Sequence, residues 1–212
     1  MGKISPPSET KDVFQPGLIR GAARLSYAPH KRYFYVEHPT EGWRVYLRSA
    51  AFLYEAHTPF DKSRFLVVKR TGGDSEKKTW EPPKGQMEGK DASKKNVPLK
   101  KLLEENIRRE VAEEAKVYKL LNLHHTGMVL QGVEPDYPPN TYFQYHVFQA
   151  FVPTQGIQEA LGEFDWIKDH PLAFARFRSD KREKDALSWF DPKHTLMMGK
   201  WSPTLVSMYL TQ

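Results

Sequence analysis

Residues 109–117 read Arg109-Glu110-Val111-Ala112-Glu113-Glu114-Ala115-Lys116-Val117, and this run constrains the fold more than any other in the chain. At about 100° of rotation per residue, a helix here nearly eclipses Glu110 with Glu114, sets Glu113 about 60° to their other side, and places Arg109 four residues before Glu113. Three carboxylates gathered on one face repel one another on a bare helix. The arrangement is easier to understand if a hard divalent cation, which prefers oxygen ligands, neutralises it. Ile107, Val111 and Ala115 recur every four residues, so the same helix presents an apolar stripe to a sheet. Phe65-Leu66-Val67-Val68 reads as a buried strand, Trp80-Glu81-Pro82-Pro83-Lys84-Gly85 as a strand end entering a loop, and 99–115 as the helix. An ordinary solvated helix would need four fixed charges to coincide by chance, about once in 10⁵ positions when each charged type makes up roughly 6% of residues.

This pattern resembles the signature of the Nudix hydrolases: Gly, five residues, Glu, seven residues, then Arg-Glu-apolar-x-Glu-Glu-x-Gly-apolar. The second half matches at six of seven fixed positions, with Lys116 where the family has Gly. That glycine usually ends the helix in a left-handed conformation that a side chain makes costly. In the first half Gly85 fits and Asp91 stands where Glu is expected. Residues 92–108 then exceed the family's gap by ten, which reads as an insertion at 92–101.

The resemblance implies an α/β fold, an α/β/α sandwich with a mixed central sheet, and metal-dependent hydrolysis of a phosphoric anhydride with Mg²⁺ or Mn²⁺. It implies Glu110 and Glu114 as the principal metal ligands, with the main chain near Gly85 approaching the same ion. Glu113 becomes a further ligand or water partner, and Arg109 holds a carboxylate in position, so that Arg109, Glu113 and Glu114 form the catalytic group. Glu163 and Glu134 are candidates for a general base supplied by a later loop. Arg70 and Lys84 are expected phosphate contacts, and Tyr137, with Tyr142 and Tyr145, a candidate for stacking a base.

The Pro-Pro-Lys-Gly entry is similar to that of dinucleoside polyphosphate hydrolases, and a Pro-Lys-Gly entry also occurs in mRNA decapping members. The net charge of +6 favours a polyanion that extends beyond the scissile linkage, so the 5′ cap of mRNA leads and RNA is an expected partner. Dinucleoside or diphosphoinositol polyphosphates are the alternatives. A catalytically silent Nudix domain that binds RNA or a protein partner is the reading from another class.

With 212 residues, 39% hydrophobic, the chain can bury a substantial core. An irregular arm at 1–17, with Pro6, Pro7 and Pro16, is expected to add little to it, and 18–212 to form a single domain ending in a helix started near Pro203. No apolar run approaches the roughly 20 residues that cross a bilayer, and the start lacks the apolar core of a signal peptide, so a soluble, cytoplasmic protein without a membrane partner is expected. A secretion leader removed upstream stays open. The absence of cysteine excludes disulfide-linked partners and thiolate metal sites. Oligomeric state is not legible. Strands are expected at 33–36, at 43–47 continuing towards 51–54, at 64–69 pairing with the latter, near 120–123 and 127–130, and at 141–152, with a hairpin loop at 134–140.

Overall fold

The computed structural model describes residues 10–26 and 28–212. Most of the expected arm, with Pro6 and Pro7, lies outside the described residues. Among those described are strands β1 (Ile19–Leu25), β2 (Ala28–Glu37), β3 (Arg44–Glu55), β4 (Leu66–Arg70), β5 (Trp80–Glu81), β6 (Lys84–Gln86), β7 (Leu121–Gly132), β8 (Thr141–Val152) and β9 (Lys184–Trp189). The helices are α1 (Leu99–Glu114), α2 (Thr154–Asp169), the single turn α3 (Pro171–Phe174) and α4 (Trp201–Thr211).

Strand β3 is buried along almost its whole length, which marks it as central and explains why its sequence is apolar without a clean alternation. Its sheet runs β1-β2-β3-β8-β7, with β6 also on β3. The Arg44 amide donates to the Asn140 carbonyl and the Ala56 amide to the Val152 carbonyl, each at 2.8 Å, so β3 and β8 advance together and are parallel. Pairs β1/β2 and β2/β3 are antiparallel. The α/β class and mixed sheet expected from the sequence are therefore present. One pairing differs. Strand β4 joins an antiparallel sheet of order β5-β4-β9 rather than β3, which already carries β2, β6 and β8.

By contact density the chain forms two compact units. One comprises the described residues up to Ala50, Gly85–Asn106 and Gly127–Val147. Phe34, Leu47, Met87, Leu102 and Phe143 are fully buried in it. The arm meets this unit at one buried side chain among its described residues, Val13, and the Lys11 amide donates to Gln131 Oε1 at 2.9 Å. The other unit comprises Ala51–Lys84, Ile107–Thr126 and Phe148–Gln212. Its core stacks Phe52 on Tyr209 of α4, with ring centroids 3.6 Å apart, and Phe65 on Phe190 at 4.7 Å. Ile107, Val111 and Ala115 are fully buried in it, as the four-residue spacing requires. Helix α2, which the sequence reading passed over, buries Ile157, Ala160, Phe164 and Ile167. Among the described residues no helix is long and apolar enough to cross a membrane.

Two backbone features matter for the site. Strand β9 carries a bulge: Lys69 opposes Ala186, but Arg70 opposes Lys184, leaving Asp185 as the extra residue. Helix α1 ends before Lys116, which adopts the left-handed conformation (φ 58°) that the expected glycine would have supplied. Lys116 is buried, and its Nζ donates to the carbonyls of Glu113 at 2.7 Å and Lys181 at 3.1 Å. The side chain thus satisfies an open carbonyl of the helix end and offsets its own backbone strain. Lys116→Ala and Lys116→Gly both lose those bonds, but only alanine retains the strain. Urea unfolding should place Lys116→Ala below Lys116→Gly by about 1 kcal/mol, and equal midpoints would refute this account of the cap.

Candidate functional site

The carboxyl end of α1 and the β5-β4-β9 sheet belong to the same unit. Directly opposed residues of a sheet share a face. Val68, Glu81 and Leu187 therefore share one face, and Lys69, Trp80 and Ala186 the other. Glu81, Glu114 and Lys184 are each 5% exposed or less. The Lys184 ammonium bridges the two acids: it pairs with Glu81 Oε1 and lies 2.9 Å from Glu114 Oε1. Lys84 closes the group, its Nζ 2.9 Å from Glu81 Oε2 and its amide donating to Glu114 Oε2 at 2.8 Å. Ser202 Oγ adds a donor to Glu81 Oε2 at 3.3 Å.

Two acids and two ammoniums make a neutral quartet, the condition under which buried charge is tolerated. Burial alone would raise the Glu81 carboxyl, but the ammoniums of Lys84 and Lys184 hold it down at about 2. Burial works to lower Lys184, and the carboxylates of Glu114 and Glu81 raise it instead.

Glu110 sits one turn before Glu114 and is in the opposite condition. Burial, and then the neighbouring Glu114 carboxylate, push its carboxyl up to about 7, against Arg109. Arg109 Nη2 donates to Glu110 Oε1 at 3.0 Å, so the arginine of the motif holds the adjacent acid. Glu113 is half-buried on the same turn, and its carbonyl receives Lys116.

The crowding of Glu110 against Glu114 is the observation on which a divalent cation can be tested. The Glu114 carboxylate raises the proton affinity of Glu110, a repulsion that such an ion would relieve. Among the described residues no three acidic or histidine side chains converge closely enough to cage an ion unaided. The pair fits the way Mg²⁺ is commonly held, by one or two carboxylates with water and substrate phosphate completing the shell.

A cavity of about 460 Å³ is lined by Arg70, Ser179, Arg182, Lys184 and Met198, among others. Arg70, singled out in the sequence, thus lines the same cavity as Lys184. A larger cavity of about 770 Å³ includes Lys69, Trp80, Ala186 and Ser188. Strand alternation assigns Lys69, Trp80 and Ala186 to the face opposite the quartet, so size alone does not mark the chemistry here.

The remaining expected residues have partners of their own. Lys84, expected on phosphate, has its ammonium on Glu81. Gly85 belongs to the other unit, where its carbonyl accepts from Asn106 Nδ2 at 3.3 Å. Tyr137 is also in that unit. Its ring packs edge-on to Phe143, and its hydroxyl lies 3.0 Å from Ser26 Oγ. Asp91 is buried and caps its own 3-10 turn at Gly89–Ser93, accepting from the Glu88 amide. In the insertion, Lys94 pairs with Asp91 and Glu105. Glu163 accepts from the Tyr118 hydroxyl at 3.1 Å. Sequence reasoning missed Glu81 and Lys184. Glu81 lay within a noted motif without a role, and Lys184 stands 70 residues beyond Glu114 in a run of mixed charge with no period.

No protein-family model matches the chain, and a search of curated proteins gives no match. Solved structures with partial similarity include a mutT/nudix family protein from Listeria innocua, at 16% identity and TM-score 0.40, over 78% of this chain and 89% of that one. NrtR from Shewanella oneidensis is similar at 15% identity and TM-score 0.36, over 77% and 61%. The same protein complexed with a 27mer DNA gives 16% and 0.36, over 77% and 59%. At these values the likeness assigns nothing to individual residues.

The elevated Glu110 carboxyl has a measurable sign. Its native pKa of about 7 exceeds the ordinary 4.5, so the native state binds more protons than the unfolded one between those values. Stability therefore falls as pH rises through that window. In chelator, Glu110→Gln should exceed the wild type by about 1–3 kcal/mol at pH 8 and lose that advantage near pH 4.5. Urea unfolding at both pH values checks it, and a variant less stable at pH 8 would count against it.

Proposed function

We propose that the chain is a Nudix-type hydrolase of a polyphosphate anhydride flanked by nucleosides, with the 5′ cap of mRNA as the leading substrate. The observation that carries the reading is the pair of part-buried Glu110 and buried Glu114, held by Arg109, Lys184 and the Lys84 amide. The cavity lined by Arg70, Arg182 and Lys184, three cations against Glu183, suits the oxygens of a phosphate chain.

In this reading Arg70 and Arg182 bind and orient the phosphates. Arg109 fixes Glu110 through the bond to its Oε1 and so presents that carboxylate to the cation. The Lys84 amide and Lys184 set the orientation of Glu114. When bound at Glu110 and Glu114, Mg²⁺ or Mn²⁺ would supply positive charge against the charge growing on the phosphate oxygens. Glu113, on the same turn, is the further partner for ion or water.

The net charge of +6 favours capped RNA over a small dinucleotide, because backbone phosphates beyond the scissile linkage add contacts. Dinucleoside and diphosphoinositol polyphosphates remain the alternatives within the same chemistry. A silent, RNA-binding domain is favoured by one feature, the occupation of both Glu114 oxygens by donors of the chain itself.

The test is Mg²⁺- and Mn²⁺-dependent product release from capped RNA, diadenosine polyphosphates and diphosphoinositol phosphates, with Glu114→Gln beside the wild type. Turnover of one class should drop by about 10²-fold or more in the variant, with circular dichroism and polyanion affinity largely kept. Undiminished turnover would overturn the assignment of Glu114. No turnover of any substrate, with tight RNA binding, would establish the silent domain.

A further inference from the structure

Every carboxylate oxygen in the quartet has a donor. Glu114 Oε1 faces Lys184 Nζ at 2.9 Å and Glu114 Oε2 receives the Lys84 amide at 2.8 Å. Glu81 takes Lys184 on one oxygen, and Lys84 at 2.9 Å on the other. The ammonium of Lys184 therefore stands against one oxygen of the very acid that a divalent ion would share with Glu110. A like charge 2.9 Å from a ligand atom both blocks that oxygen and repels the incoming ion.

We propose that Lys184 is a tethered counter-ion that competes with the divalent cation for Glu114 and sets the cation affinity of the site; this rests on the metal-dependent reading above. Lysine suits the task, being a compact charge on a flexible stem. It also has somewhere to go. Glu81 holds the same ammonium and can keep it when Glu114 is released, so the exchange leaves no buried cation unpaired. Lys184 also borders the cavity lined by Arg70 and Arg182.

Lys184 lies outside the motif on α1 and reaches it only through the fold. Its role is that of a positioning residue. The readout that separates competition from mere structural support is cation affinity measured without turnover, since loss of a structural lysine would weaken binding and loss of a competitor strengthens it.

Free Mn²⁺ is titrated by its electron paramagnetic resonance signal against the full chain, without substrate, for the wild type, Lys184→Met and Lys184→Gln. Glutamine keeps a donor for Glu81 and guards against a methionine variant that fails to fold. Both substitutions should lower the Mn²⁺ dissociation constant about tenfold or more, as removal of a directly paired charge does for other cations, and adding Glu114→Gln to either should abolish the gain. Folded variants that bind Mn²⁺ no better than a wild type which itself binds it would overturn the competition and leave the hydrolase reading standing. Absence of Mn²⁺ binding in the wild type and in every variant would overturn both.

Discussion

The bridge made by Lys184 between Glu81 and Glu114 ties three distant stretches of chain in one unit: the end of β5, the end of α1 and the start of β9. Each partner is affordable inside the protein only because the others are there. Coulomb attraction at these separations offsets desolvation when the charges sum to zero and their remaining hydrogen-bonding capacity is met. Lys84 completes both conditions, the charge balance through its ammonium and an open acceptor through its amide. The same logic explains Glu110. It is the acid outside the neutral quartet, with Arg109 as a part-buried partner, and it stays close to its proton.

What could be read in the sequence was whatever repeats locally. The second half of α1 followed from a four-residue apolar stripe, and β8 from apolar content bounded by turn residues, because both signals arise from neighbours along the chain. Helix α2 had the spacing too, in Ile157, Ala160, Phe164 and Ile167, but Gly156 and Gly162 interrupt it and weaken a propensity reading. Lys184 and Glu81 are 103 residues apart. Nothing periodic links them, and their partnership exists only once β4 has paired with both β5 and β9. The expectation that β4 lies beside β3 failed for the same reason, since edge availability is a property of the whole sheet.

The two departures from the Nudix pattern resolve in different ways. Lys116 reproduces what glycine would have done to the backbone and anchors itself to the helix end with its own ammonium. Asp91 turns its carboxyl inward to a local 3-10 turn, and the lysine-rich insertion after it is partly neutralised by Asp91 and Glu105. In the first case geometry is kept with different chemistry; in the second an acid at the motif position serves local architecture.

The bulge in β9 fixes the sign of charge at the site. With an unbroken register, Arg70 would oppose Asp185, and pleating would bring a carboxylate to the side of the sheet where the ammonium of Lys184 now stands. Glu81 and Glu114 would then confront a third acid and no bridging cation. One step of register in β9, with no change of sequence, separates a neutral cluster from an anionic one, so the bulge decides which charge the strand presents to Glu81 and Glu114.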